Sequence, residues 1–353
     1  MVFANRDLVV IGGSAGAVGP LKEILAALPA DLPAAVAVVL HIPAESTGIF
    51  VTVSSAVSAL RVKHAEEGEE VRHGHVYLAP PNRHLLILEG RIRLGTGPRE
   101  NLVRPAIDPL FRSAALSYGP RAIGVILSGM LNDGASGLAA IKRCGGMALV
   151  QTPQEAEARE MPLAALEAAP VDRSAHAADL AFSIRELVAQ PPGPPQPPPA
   201  DIALEVEIAA GGAVDRGAFA RLSKPTALTC PDCGGVLSEM LGDKSVRFRC
   251  QVGHAYDGKT LMTRQEHEVD EAMRVALRII EERAALVERM GRDASTTGRA
   301  GMAETYETRA AEYRSYADVL RTAVLRQIEK RAAFETEDGD EAERRGPMEP
   351  GAV

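Results

Sequence analysis

Apolar residues recur along this chain in two rhythms, and the change between them falls just past the middle. Up to about residue 190, short continuous apolar runs alternate with stretches of helical spacing. Leu8–Ile11 is an apolar run ending at glycines, and Ala35–Leu40 and Ala122–Leu127 suit strands buried on both faces. His75–Leu78, Leu85–Leu88 and Ile92–Leu94 read as short strands, with Asn82 and Gly90 near their turns, and Met147–Val150 as a last strand. Leu21–Leu28, Leu110–Tyr118 and Leu138–Arg143 carry apolar positions at helical spacing. This alternation predicts an α/β fold, a mainly parallel, doubly wound sheet, over residues 1–189.

Beyond residue 200 the rhythm changes. A cysteine-bearing segment within residues 201–262 precedes two long amphipathic patterns. Thr263-Arg-Gln-Glu266 fits a capping box at a helix start. Val269, Met273, Leu277, Ile280, Ala284, Val287 and Met290 then follow at steps of three or four. Gly291–Gly298 interrupts, and Met302, Tyr306, Ala310, Tyr313, Ala317, Leu320, Val324 and Ile328 resume the stripe. The pattern predicts a helical hairpin over residues 263–334 with the stripes packed together. A partner helix docking on that apolar face is the alternative.

Composition sharpens the boundaries. A chain of 353 residues exceeds what one core usually holds, so two domains are expected. Seven of the 24 prolines fall in Pro191–Pro199, within the stretch QPPGPPQPPPA at residues 190–200. Such a run favours an extended, semi-rigid linker, and a cut at Gly193 is expected to leave an intact first domain. Net charge is −8, and residues 335–353, with seven acids and two arginines, supply −5 of it. The acidity therefore belongs mainly to an acidic tail expected to be disordered. A broad basic surface for nucleic acid is not expected. No apolar run reaches the ~18 residues of a membrane span, and no basic, apolar leader opens the chain. A cytoplasmic protein without membrane insertion is expected. Four cysteines, three of them within 21 residues, exclude a disulfide scaffold but suit a metal site.

The first strand-to-helix loop carries the candidate chemistry. Gly12-Gly13-Ser14-Ala15-Gly16-Ala17 aligns poorly with a dinucleotide fingerprint, because Ser14 stands where the middle glycine should approach a pyrophosphate. It matches the nucleophile elbow GxSxG as written. A serine needs a base, and His41 follows the apolar run Ala35–Leu40. The base needs an orienting acid, and Asp133 lies just past Ala122–Leu127 and before a helix, where it would otherwise serve as an N-cap. Three strand ends thus present Ser14, His41 and Asp133 where parallel sheets gather chemistry. His64, His73 and His75 read as solvated, His84 as strand-edge and His176 as surface.

At these residues the sequence resembles the catalytic domain of bacterial chemotaxis protein-glutamate methylesterases, the CheB family. The resemblance rests on VVIGGSAGA, VVLHIPAESTGIF, YLAPPNRHLLI, RPAIDPLF, GVILSGMLNDGASGL and the Gln151…Met161-Pro162 region, which together span nearly all of residues 6–190. It implies a carboxylic ester hydrolase that needs no cofactor, with Ser14 as nucleophile, His41 as base, Asp133 as orienting acid and the Met130 backbone N–H binding the oxyanion. It also implies hydrolysis of glutamate γ-methyl esters, with glutamine deamidation as a companion activity, on a chemoreceptor or related signalling protein. Two departures touch the cleft. Ala-Gly-Ala follows Ser14 where Thr-Gly-Gly is typical, and Leu131 replaces a frequent glycine. The match begins near residue 6, so the receiver domain that usually precedes the catalytic domain is not expected. A signalling or scaffold protein that uses the same fold for binding alone is the second reading.

Cys230-Pro-Asp-Cys233 and Cys250-Gln-Val-Gly-His254 offer three thiolates and an imidazole. That set and spacing predict a closed structural zinc site in a zinc-ribbon-like segment, with a hairpin across Leu241–Ser245. The segment resembles ribbon extensions on stand-alone methylesterase-like proteins. Cys144 reads as an ordinary small apolar residue.

Overall fold

The computed structural model describes residues 5–43, 47–242 and 245–344, with the side chains of Thr47 and of residues from 327 onward outside the description. The chain divides into two compact units after Met262.

In the first unit, seven parallel strands form the central sheet: β1 (Leu8–Gly13), β2 (Ala35–Leu40), β3 (Arg61–His64), β4 (His75–Leu78), β7 (Ala122–Ile126), β8 (Met147–Gln151) and β9 (Arg173–Ala175). Their spatial order is β3-β4-β2-β1-β7-β8-β9. Strands β5 (His84–Leu88) and β6 (Arg91–Gly95) pair with each other as a separate antiparallel hairpin. Side chains alternate across the sheet, and both faces are apolar because both are covered. Val9 and Ile11 join Leu21, Ile24 and Leu25 of α1 (Val18–Ala27), Phe50 of α2 (Thr47–Val57), and Leu180 and Ile184 of α6 (Ala177–Val188). Leu8 and Val10 join Leu110 and Phe111 of α3 (Ile107–Tyr118), Leu138 and Ile141 of α4 (Ala135–Arg143) and Met161 of α5 (Glu160–Ala168).

Strands β3 and β9 are absent from the sequence reading. They are short edge strands of sequence RVKH and RSA, with no apolar run to mark them. His64 accordingly sits half-buried in β3 rather than in a solvated loop. His84, expected at a strand edge, is completely buried. Its Nε2 lies 2.9 Å from the Pro98 carbonyl and its Nδ1 accepts from the Ala106 N–H, so the ring is held neutral, and burial lowers its pKa.

The first unit does not end at the proline run. Helix α7 (Ala200–Ala210) places Ile202 and Val206 in the same core as α3 and the β5–β6 hairpin. Its backbone lies so close that a Cβ on Gly97 would stand 2.3 Å from the Ile208 carbonyl oxygen. The prolines therefore form a strap between α6 and α7, both packed on one body, with the Gln196 side chain over Gly145. This differs from the expected spacer between independent domains, because a proline-rich composition specifies an extended backbone and not what its two ends pack against.

After α8 (Arg216–Leu222), strands β10 (Ser223–Thr229), β11 (Val236–Met240), β12 (Arg247–Cys250) and β13 (Ala255–Asp257) form an antiparallel ribbon. The turn between β11 and β12 includes residues 243–244, outside the described residues. Five buried charges join ribbon, α7 and α3. Arg112 pairs with Glu100, and also with Glu205 at 3.2 Å. Arg249 reaches Glu100 at 3.1 Å and Glu205 at 3.3 Å, and Arg247 reaches Glu205 at 3.0 Å.

The next helix, α9 (Gly258–Thr296), starts five residues before the expected capping box. Asp257 captures the start instead, accepting from the Thr260 N–H at 2.9 Å and from its hydroxyl at 2.6 Å. In the second unit, α9 runs through Gly291 and a turn at Gly298 leads into α10 (Ala300–Arg344). Ala284, Ala303, Ala310 and Ala317 are buried there, and Arg314–Glu288 and Arg321–Glu281 pairs flank them. Residues 335–344, expected in the disordered tail, continue the helix, and residues 345–353 of that tail lie outside the described residues. Among the described residues no helix is long and apolar enough to cross a membrane.

Burial alone would raise the Glu100 and Glu205 pKa values, but Arg112 and the other arginines outweigh it and hold both below the ordinary 4.5. A carboxylate depressed in the folded state stabilises above its ordinary pKa, and that stability is lost as pH falls through the folded value. The first unit is therefore expected to lose stability progressively below about pH 4.5, measured by thermal melting across pH. Glu205→Ala, which removes one of the two buried carboxylates that face Arg112, Arg247 and Arg249, is expected to cost about 3 kcal/mol or more by denaturant titration at pH 7. Removing everything after Gly193 should also lower the melting temperature of residues 1–193 relative to the full chain.

Candidate active site

Three neighbouring strand ends build the site. β1 ends at Gly13 opposite Leu40 of β2, so Ser14 and His41 emerge side by side, and the His41 N–H donates to the Gly13 carbonyl at 3.2 Å. On the other side the Ser14 N–H donates to Ser128 O, just past β7, at 2.9 Å. The elbow needs small residues. Gly16 has φ +74°, and a Cβ there would stand 2.5 Å from Glu157 Cβ and 2.7 Å from Ser128 Oγ. Ser14 itself is half-buried, in front of helix α1.

The sequence reading missed Ser128. It is fully buried, and its hydroxyl donates to Ala15 O at 2.7 Å while accepting from Ala158 N–H at 2.9 Å. Its own N–H donates to Gln151 Oε1 at 2.8 Å. One hydroxyl thus ties the serine loop to the loop ahead of α5. Its only sequence signal was its place immediately after an apolar strand.

His41 Nε2 lies 3.1 Å from Asp133 Oδ2, within ion-pair distance though outside hydrogen-bond alignment. Among the described residues no hydrogen bond joins Ser14 Oγ to the ring. Asp133 is buried and does not cap α4, whose N-cap is Gly134. It sits instead over the start of α3, accepting from Ile107 N–H at 2.6 Å and Asp108 N–H at 3.3 Å. Asn101 Nδ2 donates to it at 3.1 Å. Burial alone would raise the Asp133 pKa, but His41, the Ile107 N–H and the Asn101 amide together hold it below the ordinary carboxylate value. Its neighbour Asp108 behaves oppositely. Burial, with the Asp133 charge beside it, pushes Asp108 up to about 8. The arrangement can keep an ionised acid against an imidazole at neutral pH, which a general base requires.

Met130 lies in the next turn with its side chain largely exposed. Gly129 before it is braced from both sides, its N–H on Ala158 O and its carbonyl under Met161 N–H. Leu131 after it has φ 61°, a left-handed conformation that a glycine would adopt freely. Its N–H donates to Glu160 Oε2 at 2.8 Å, which holds it there.

The four predicted metal ligands also converge. The ligand atoms of Cys230, Cys233, Cys250 and His254 all lie within 4.8 Å of one another. Cys233 Sγ is 3.7 Å from Cys250 Sγ, and His254 Nδ1 is 3.5 Å from Cys250 Sγ and 3.8 Å from Cys230 Sγ. A tetrahedral zinc site with ordinary bond lengths has edges of about 3.8 Å between sulfurs and about 3.6 Å from sulfur to nitrogen. The cluster could therefore hold a metal ion. Burial, with Cys230 beside it, pushes the Cys250 thiol up to about 12, a cost that a bound cation would reverse. Cys144 is buried in the α/β core, as expected of a small apolar residue.

Comparison with known proteins points to one family. Residues 9–184 match the family model described as CheB methylesterase. A Leptospira interrogans protein, whose name gives it provisionally as a protein-glutamate methylesterase/protein-glutamine glutaminase, is 44% identical over 169 residues, covering 48% of this chain and 88% of that protein. Protein-glutamate methylesterase/protein-glutamine glutaminase 2 of Anaeromyxobacter dehalogenans is 41% identical over 184 residues, 52% of this chain and 54% of its own. The crystal structure of the Thermotoga maritima CheB methylesterase catalytic domain superposes with a TM-score of 0.51 at 34% identity, covering 52% of this chain and all of that one.

The left-handed turn at Leu131 gives a stability test. Leu131→Gly is expected to be more stable than Leu131→Ala by about 1 kcal/mol in denaturant titration, since only the glycine escapes the Cβ clash.

Proposed function

The chain belongs to the CheB methylesterase family, and from that premise we propose that it hydrolyses glutamate γ-methyl esters on a signalling protein through Ser14, His41 and Asp133. The observation that carries the reading is the 3.1 Å approach of His41 to a buried, ionised Asp133 beside the strand end that presents Ser14. Ser14 Oγ attacks the ester carbonyl while His41 takes its proton, and Asp133 stabilises the imidazolium. The Met130 N–H, at the tip of a braced turn, helps hold the oxyanion, a contribution of about 3 kcal/mol per donor in such sites. His41 returns the proton to methanol as it leaves, and water then hydrolyses the acyl-enzyme by the same route. A glutamine side chain reacts identically with ammonia as the leaving group. The protein substrate is a methylated chemoreceptor or a related sensor, met in the cytoplasm.

Zinc is the metal we assign to the ribbon, on Cys230, Cys233, Cys250 and His254. Four protein ligands leave no open position for a substrate, so its part is structural.

Ser14→Ala is expected to abolish methanol release from a methyl-esterified receptor fragment while leaving the melting temperature near that of the native chain. A fluorophosphonate probe should label the native protein and not the variant. A native chain that resists labelling and releases no methanol would instead identify a fold used for binding alone. Purified full-length protein is expected to hold one equivalent of zinc by elemental analysis, and Cys230→Ser to lose most of it. A folded, metal-free native chain would remove the zinc assignment.

A further inference from the structure

The segment joining β6 to α3 is held by the ribbon along its middle. The Asn101 N–H donates to Ala255 O at 2.8 Å, and Glu100 forms a parallel bridge with Ala255. Glu100 is ion-paired to Arg249 on β12. Leu102 packs into the ribbon's apolar cluster with Cys230, Cys250 and Tyr256. Between these anchors the backbone is left-handed at two successive residues, φ 49° at Asn101 and 69° at Leu102. Leucine rarely adopts such a conformation, and it persists only where the surroundings impose it.

The constrained turn aims one side chain. Asn101 Nδ2 donates to Asp133 Oδ1 at 3.1 Å and to Asp108 Oδ2 at 3.2 Å. Its Oδ1 accepts from the Asp257 N–H on β13 at 3.0 Å, which fixes the amide with its nitrogen toward the acids. Asp257 Oδ1 also accepts from Asn132 Nδ2, next to Asp133, at 3.2 Å. The ribbon therefore grips Asp133 through the asparagine before it and the asparagine across from it.

We infer that Asn101 is a positioning residue for Asp133, and that the ribbon strand β13, through the Asp257 N–H, sets its orientation, so that the ribbon is a working part of the active site. The inference rests on the assignment of Asp133 as the acid behind His41. The titratable groups facing Asp133 are His41 after β2, Asp108 on α3 and His84 on β5. The amide nitrogen of Asn101 donates to both acids and favours the ionised form of Asp133, whose charge in turn helps to raise Asp108.

The test is Asn101→Gly in the full chain, which keeps the left-handed backbone free of strain and removes only the amide. Three readings are compared with the native chain: the Asp133 titration by carboxyl NMR, hydrogen exchange at the Asp257 and Cys250 amides, and kcat and KM for methanol release. The expected result is a rise of the Asp133 pKa, faster exchange at Asp257 with Cys250 unchanged, and kcat down roughly tenfold or more at little-changed KM. If both amides accelerate together the variant has lost its fold, and the isosteric Asn101→Asp takes its place: it keeps the oxygen that accepts from the Asp257 N–H and loses only the donor to Asp133, so Asp257 exchange should stay native while kcat falls roughly tenfold or more, and an unchanged kcat would overturn the inference. An unchanged Asp133 titration with unchanged Asp257 exchange in folded Asn101→Gly would overturn the inference. A native chain without hydrolysis would overturn the esterase reading instead, while the titration and exchange still decide the role of Asn101.

Discussion

Two glutamates and three arginines are buried together where the α/β body, α7 and the ribbon meet, and no subset of those parts can satisfy them. Glu100 and Arg112 come from the segment entering α3 and from α3 itself, Glu205 from α7, and Arg247 and Arg249 from β12. A charge buried without its partner costs several kcal/mol, more than most single contacts return. The cluster thus ties the presence of any one element to the presence of the others. It explains why α7 and the ribbon belong to the same compact unit as the parallel sheet.

The candidate site inherits that constraint. Asp133 is held below the ordinary carboxylate value by groups of different origin: the buried N-terminus of α3, an imidazole after β2 and an amide steered by the ribbon. The first two are products of the parallel sheet and its helices, as in any fold that gathers chemistry at strand ends. The third comes from outside that architecture. The geometry of the candidate site is therefore distributed over the ribbon as well as the α/β core, although Ser14, His41 and Asp133 all precede residue 134.

Much of this was legible in the residues. Apolar runs of four or more marked β1, β2, β4 and β7, because strands covered on both faces have no polar positions to confuse them. Ser14, His41 and Asp133 were visible because each follows such a run. The Cys-x2-Cys and Cys-x3-His spacing marked four candidate ligands whose side chains converge. Edge strands β3 and β9 were not legible, since their residues are charged or small. The unit boundary was misplaced for a related reason. Proline content is a local property, whereas the pairing of Glu205 with Arg112 spans 93 positions and has no local signature. Asn101 and Ser128 were hidden likewise, as ordinary polar residues whose importance lies in what a distant segment offers them.

The buried cluster also has a consequence in time. A ribosome adds roughly 5–20 residues per second, so Arg249 follows Arg112 out of the ribosome by something on the order of ten seconds. For about the first two-thirds of that interval Arg112 and Glu100 have only each other, because neither Glu205 nor β12 yet exists to complete the set. The parallel sheet can collapse early on its apolar faces, but the face of α3 that will meet Ile202 and Val206 stays wet until α7 has been made. Completion of the buried cluster then waits for β12, and the proline strap meanwhile keeps α7 tethered to the body on which it packs.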